Sequence, residues 1–247
     1  MVAKKQIAVL TAVYIGLIGL FFLYWGIHRI SPEFHMNYMQ GEDRAAEWLT
    51  FIGFAGAAAM SWATLRFRAV MGRKTIAFFA LLGLFMFVCA GEEISWGQRI
   101  FGFGTPEAMV EVNEQNEFNL HNLSFEHLHP KDIVSWFMKI YGIILPLVFL
   151  RRYIRGENEI FKFIPAPVCT PAFVIPELIN VFEDQLAAFV ARYFGPFTLP
   201  PVCPSVSVLI KRQCEELIEM YWGLAIFMAL LMIWAAWKQS VRPASAQ

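Results

Sequence analysis

Long apolar runs separated by short polar connections organise this chain. The runs cover about residues 7–27, 45–65, 75–95, 133–150 and 217–237. Each approaches the roughly 20 apolar residues that a helix needs to cross the hydrocarbon core of a bilayer. The second run carries Gly53, Ala55, Gly56, Ala57, Ala58 and Ala59, small residues that let two helices pack closely inside a membrane.

The stretch 161–184 follows a different pattern. Phe163 to Pro176 is apolar but short for a span, and Pro165, Pro167, Pro171 and Pro176 interrupt it. Proline removes donors and kinks helices, so this is either an interrupted span or a re-entrant segment. A crossing is preferred, because it gathers the acidic clusters on one side. Beyond it, Leu178, Phe182, Leu186, Phe189 and Tyr193 recur at helical spacing, with Glu183, Asp184 and Arg192 between them. That spacing predicts an amphipathic helix lying in the interface. The expected fold is all-α: a polytopic membrane helix bundle of about six spans, one of them Pro-interrupted, forming a single integral membrane domain over 1–247.

Composition agrees. The 247 residues are 57% hydrophobic and 16% charged, against about 25% charged in soluble domains. Net charge is zero, which leaves no basic footprint for nucleic acid. The expected partners are membrane lipid and other membrane subunits. Cys89, Cys169, Cys203 and Cys214 form no Cys-x-x-Cys pair. Buried thiols are the favoured reading, with a Cys203–Cys214 disulfide as the alternative.

Basic residues orient the chain. Lys4 and Lys5 precede the first run, which is too long for a signal peptide and reads as an uncleaved span. Arg66, Arg68, Arg73 and Lys74 fill the second connection, and Arg151, Arg152 and Arg155 follow the fourth run. These sides are expected to be cytoplasmic in a cell inner membrane, with the N-terminus inside and connections 28–44 and 101–132 outside. Trp96 and Trp222 are expected to mark the outer interface.

Polar residues then mark a place. Glu92 and Glu93 close the third run, followed by Ser95, Trp96, Gln98 and Arg99. Carboxylates at membrane depth are expensive, roughly 2.5–3.5 kcal/mol each near a helix centre, and so are usually partnered or functional. Helical spacing places Glu92, Ser95 or Trp96, and Arg99 on one face. The outer connection adds His121, Asn122, His127 and His129, and the last run opens with Glu215, Glu216 and Glu219. Glu92, Glu93, His121 and Arg99 are the candidate catalytic groups; Gln98, Asn122, Trp96 and Glu216 are the candidate substrate contacts. Paired carboxylates can supply one acid and one base. His127-x-His129 with Glu219 is a candidate divalent-metal set, although His-Glu-x-x-His and Glu-x-x-His are both absent. There is no Gly-x-Ser-x-Gly elbow, and Gly102-x-Gly104 lacks the setting of a phosphate loop. The same polar groups can also act only as packing and capping partners.

The run Gly91-Glu-Glu-Ile-Ser-Trp-Gly-Gln-Arg-Ile-Phe-Gly102, then Thr105-Pro-Glu, then Asn113-Glu-Gln-Asn-Glu-Phe-Asn-Leu-His-Asn122, resembles a group of uncharacterised bacterial multi-spanning membrane proteins with the same elements. The resemblance covers about 90–125 and the acidic start of the last run. It implies that Glu92, Glu93, Gln98, Arg99, His121 and Asn122 act as one site, and it implies no particular activity. A looser analogy is with ceramidase-like membrane hydrolases, through the residue types of His121, His127, His129, Asp132 and Ser95; their span-borne His-x-x-x-His is missing.

Three functions compete. The first is an enzyme acting on a lipid or lipid-linked substrate at the outer leaflet. The second is an accessory subunit of a membrane complex. The third is a proton-coupled transporter, which intramembrane carboxylates and a Pro-broken segment suggest but no internal repeat supports.

Overall fold

A computed structural model describes residues 4–39, 44–110, 113, 117–120, 130–195, 197 and 205–241, without the side chains of 4–10 and 108. Among the described residues the fold is all-α and no strand forms. The principal helices are α1 (Lys4–Ile30), α2 (Ala45–Thr64), α3 (Arg73–Glu93), α4 (Pro130–Lys139), α5 (Thr170–Val181), α6 (Glu183–Phe194) and α7 (Val206–Ser240).

Four stretches are long and apolar enough to cross a membrane: Thr11–Ile30, Ala45–Val70, Arg73–Glu93 and Val206–Ser240. This is a membrane protein by helix length and composition. The fourth expected run is also helical, but in pieces. After α4 comes a π-helical turn, Ile140–Ile144, and then Leu145–Val148 containing Pro146. Wider turns of this kind accommodate a proline that cannot donate to the ladder.

Two compact units make up the chain. One comprises Met1–Glu47 and Val174–Tyr221, the other Trp48–Phe173 and Trp222–Gln247.

In the first unit, α1 buries Leu17, Tyr24, Trp25 and His28. The Tyr221 hydroxyl donates to the Leu17 carbonyl at 2.7 Å. Lys211 of α7 lies 3.1 Å from Glu183 and 2.7 Å from Asp184, pairing α7 with the first turn of α6. The amphipathic pattern of 178–193 is present, but its large residues point outward. Leu178, Phe182, Phe189 and Tyr193 are exposed, while Ile179, Ala187 and Val190 make the buried contacts. Inverted burial is what a lipid-facing surface requires, since hydrocarbon solvates apolar side chains and nothing drives them inward. A break at Phe182 separates α5 from α6.

In the second unit, α3 buries Phe79, Leu82, Met86, Cys89 and Ala90 on one stripe and exposes Leu81, Leu84 and Phe87 on the other side. Glycines set how closely its neighbours approach. The Trp62 ring lies where a side chain on Gly83 would go. Its indole donates to the Ala80 carbonyl at 3.3 Å, and Ser61 donates to that of Phe79 at 2.8 Å. α2 meets α7 backbone to backbone, with Gly53 against Gly223. Gly142 is covered by the Phe173 ring, and Tyr141 donates to the Phe163 carbonyl at 2.7 Å.

The thiols of Cys89, Cys169 and Cys214 are buried and free, in keeping with the favoured reading of the cysteines; Cys203 lies outside the described residues.

Candidate functional site

At about 1.5 Å per residue, the 21 residues of α3 span about 31 Å, close to the thickness of the hydrocarbon core. Arg73 and Lys74 start the helix, so its last two residues, Glu92 and Glu93, reach the opposite boundary rather than the centre.

The helix then stops abruptly. Ser95, Trp96 and Gly97 follow with φ of 46°, 54° and 78°, three left-handed residues in succession. Only glycine visits this region freely, and a residue with a Cβ costs roughly 1–2 kcal/mol there. Two side-chain contacts hold the turn. The Trp96 ring lies over Gly91, where a Cβ would come within 2.9 Å of it. The Trp96 indole donates to Glu92 Oε1 at 2.7 Å. A single helical turn, Gln98–Phe101, follows and ends at left-handed Gly102.

A helix continuing to Arg99 would place Glu92, Ser95 and Arg99 on one face. The left-handed turn replaces that arrangement. Arg99 pairs with Glu117, a residue of the following connection, and Glu117 Oε2 accepts from the Ser95 hydroxyl at 2.7 Å. Asn119 Nδ2 donates to Glu117 Oε2 at 2.6 Å and to Ser95 Oγ at 3.1 Å.

The network also holds an irregular backbone. Segment 117–120 has no helix or strand to satisfy its amides, and polar side chains accept from them instead. Asn113 Oδ1 accepts from the Glu117 amide at 3.1 Å, Gln98 Oε1 from that of Phe118 at 2.6 Å, and Glu92 Oε2 from that of Leu120. Asn113 Nδ2 returns a bond to the Asn119 carbonyl, and Gln98 Nε2 reaches Thr105 Oγ1 at 2.8 Å. Ser95, Asn113, Glu117 and Asn119 are all buried, between 1% and 5% exposed. Near a bilayer, irregular backbone persists only where protein groups satisfy it in this way.

The structure thus brings together Glu92, Trp96, Gln98 and Arg99 of the expected residues. Glu93 is half-buried beside them and makes interactions of its own. His121, Asn122, His127 and His129 lie outside the described residues. Glu216 and Glu219 belong to the first unit, ten residues and more into α7 rather than at its start, and both have partners. Among the described residues, no group of three or more His, Cys, Asp or Glu side chains is arranged to hold a metal ion. Trp222, expected at the outer interface with Trp96, is 8% exposed and packed inside, whereas Trp96 is 36% exposed.

Ser95 and the run holding Asn113, Glu117 and Asn119 stand out in the sequence as polar stretches, but their pairing with one another and with Arg99 does not. The signal that could have found them is the glycine pair Gly91 and Gly97 flanking Trp96, which marks a turn built around an indole.

Trp96→Phe removes the indole donor and part of the ring that lies over Gly91. A hydrogen bond to a charged group contributes about 1.5–3 kcal/mol, so the variant is expected to melt several degrees lower. An unchanged melting curve would show that the Glu92–Trp96 bond adds nothing.

No family model matches this chain, and neither a curated protein nor a solved structure does.

Proposed function

We propose that this protein is an accessory subunit of a membrane complex, presenting a rigid turn at the outer boundary of the bilayer as a docking element. One observation carries this reading: both carboxylate oxygens of Glu92, and both of Glu117, accept hydrogen bonds from the turn and from segment 117–120. A carboxylate committed to backbone and indole donors supports shape. The Ser95 hydroxyl is 2% exposed and closed to a substrate. The locked turn carries Ile100 and Phe101 outward, 61% and 78% exposed.

A photo-crosslinking residue at Phe101 in native membranes tests the reading. A discrete protein adduct, lost when Gly97→Val dissolves the turn, is expected. Adducts to lipid alone would overturn it.

The strained backbone at Ser95 and Trp96 favours a second reading, because left-handed non-glycine residues cluster at functional sites. In it Glu93, His121 and Asn122 act on a lipid or lipid-linked substrate beside this turn. Glu93→Gln then abolishes turnover of that substrate without lowering the melting temperature. Loss of stability alone would count against it.

Either reading places connection 101–132 outside an inner membrane, with the N-terminus in the cytoplasm, on the strength of the basic residues around Arg66–Arg73. A periplasm-dependent reporter fused at residue 104 should be active; silence there would reverse the topology.

A further inference from the structure

The first unit contains buried polar groups with no role in the turn described above. His28 and His35 are 1% and 0% exposed, with their Nδ1 atoms 3.3 Å apart. Around them stand Tyr24 and Trp25, 3% and 0% exposed. Tyr24 and His35 rings meet edge-on at 4.5 Å between centroids, Trp25 stacks on His35 at 5.8 Å, and Phe197 stacks on His28 at 4.1 Å. Among the described residues the Tyr24 hydroxyl, the Trp25 indole nitrogen and His35 Nε2 have no hydrogen-bond partner. A buried polar atom without a partner is costly and calls for an explanation, most often an unseen water or ligand.

An apolar groove of about 450 Å³ lies in the same unit, lined by Ile18, Phe21 and Phe22 of α1 and by Ile179, Phe182 and Leu186. Phe21 touches Trp25 edge-on at 6.5 Å between centroids. Positions 18, 21, 22 and 25 fall on one stripe of α1, which runs from the groove to Trp25, and the rings of Tyr24 and of His35, beyond the helix end, pack against Trp25. Trp25 is five residues from the end of α1 at Ile30, about 7.5 Å below it at 1.5 Å per residue.

We propose that this stripe binds a lipid-soluble quinone, its hydrocarbon tail in the groove and its ring carbonyl oxygens accepting hydrogen bonds from Tyr24, Trp25 and His35. Three features select this chemistry. The Trp25 indole is donor-only, and His35 Nε2 is a donor whenever its Nδ1 accepts from His28, so the complementary head group is rich in acceptors. The walls are flat aromatic rings, which suit a planar head. Two cations of the same unit are engaged elsewhere: Lys211 pairs with Glu183 and Asp184, and Arg29 donates to the Gly195 carbonyl at 2.6 Å. Burial, and secondarily His28 beside it, pushes the His35 imidazole down to about 3, which keeps the ring neutral at physiological pH. The claim concerns binding, and it stands independently of the docking role of the turn.

The test uses the full-length protein in phosphatidylcholine nanodiscs, with a decyl-tailed benzoquinone as ligand and bound quinone measured by absorbance after gel filtration. Saturable binding is expected. Tyr24→Phe and Trp25→Phe should each weaken it about tenfold, the loss of one hydrogen bond. The reduced quinol, which brings donors to donors, should bind more weakly than the quinone. Binding unchanged in both variants would overturn the proposal, as would equal competition by dioctanoylglycerol, or no saturable binding by wild-type protein that is monodisperse and melts cooperatively. Tyr24→Phe removes a hydroxyl alone, whereas Trp25→Phe also shrinks a fully buried ring, so if Trp25→Phe fails to fold Tyr24→Phe decides.

Discussion

Glu117→Ala is expected to be the most destabilising single truncation in the turn. The substitution leaves Arg99, the Ser95 hydroxyl and Asn119 Nδ2 without their shared acceptor, all at a position 4% exposed. Removing one partner of a buried ion pair costs about 3–5 kcal/mol. Arg99 is 31% exposed and can turn toward water, which favours the low end, about 3 kcal/mol. On the scale for chains of this size, at 2–4 °C per kcal/mol, that is about 6–12 °C in Tm. Glu117→Gln retains one acceptor oxygen and should lose less, but not nothing, since its new amide must face one of the same donors. Thermal unfolding of the three proteins in one detergent checks the order. A Glu117→Ala protein that melts with the wild type would show that the network is incidental to the fold.

Gly53→Ala is the second large effect, and its sign is informative. In an exposed helix interior, alanine in place of glycine stabilises by about 0.8–1 kcal/mol. At Gly53 the new Cβ would lie 2.4 Å from the Gly223 carbonyl carbon and 2.7 Å from its Cα. What it meets is backbone, so no side chain can rotate away and the two helices must separate. Within a membrane the contact rests on close packing rather than on the hydrophobic effect, so separation loses it without compensation. The expected cost is about 1–3 kcal/mol, as for other overpacked sites. Gly16→Ala is the control, because nothing lies within 4 Å of that position, and it should be neutral or stabilising. Stabilisation by both substitutions would refute the close approach of α2 and α7.

Much of this fold is legible from hydropathy, because spans answer to length and composition alone. Runs 7–27, 45–65 and 75–95 correspond closely to α1, α2 and α3. Two features escape that reading. The stripe through Leu178, Phe182, Phe189 and Tyr193 has the right period and faces outward, because an apolar stripe has the same spacing whether it meets a protein core or hydrocarbon. The last helix begins at Val206, well before the apolar run at 217, because partners such as Asp184 on α6 let charged Lys211 lie within it.

The candidate site is legible in its first half only. Glu92, Trp96, Gln98 and Arg99 stand out as polar residues at the end of a span. Asn113, Glu117 and Asn119 stand in the motif of the following connection, but which of them Arg99 and Ser95 meet is not legible, because helical spacing fails across Ser95–Gly97, where φ is positive. Once the chain turns there, Arg99 answers to Glu117, eighteen residues on, and no local periodicity encodes that distance.

The latch between Glu92 and Leu120 also sets an order of events during synthesis. The two ends are separated by 28 residues. At 5–20 residues per second, translation takes roughly 1.4–6 s to supply the second after the first. Until Leu120 has been made, the terminal carboxylate of α3 is unlatched, and the left-handed turn after it has no loop to hold. The turn is therefore completed only after segment 117–120 exists, and a chain truncated before Glu117 keeps an unlatched span end.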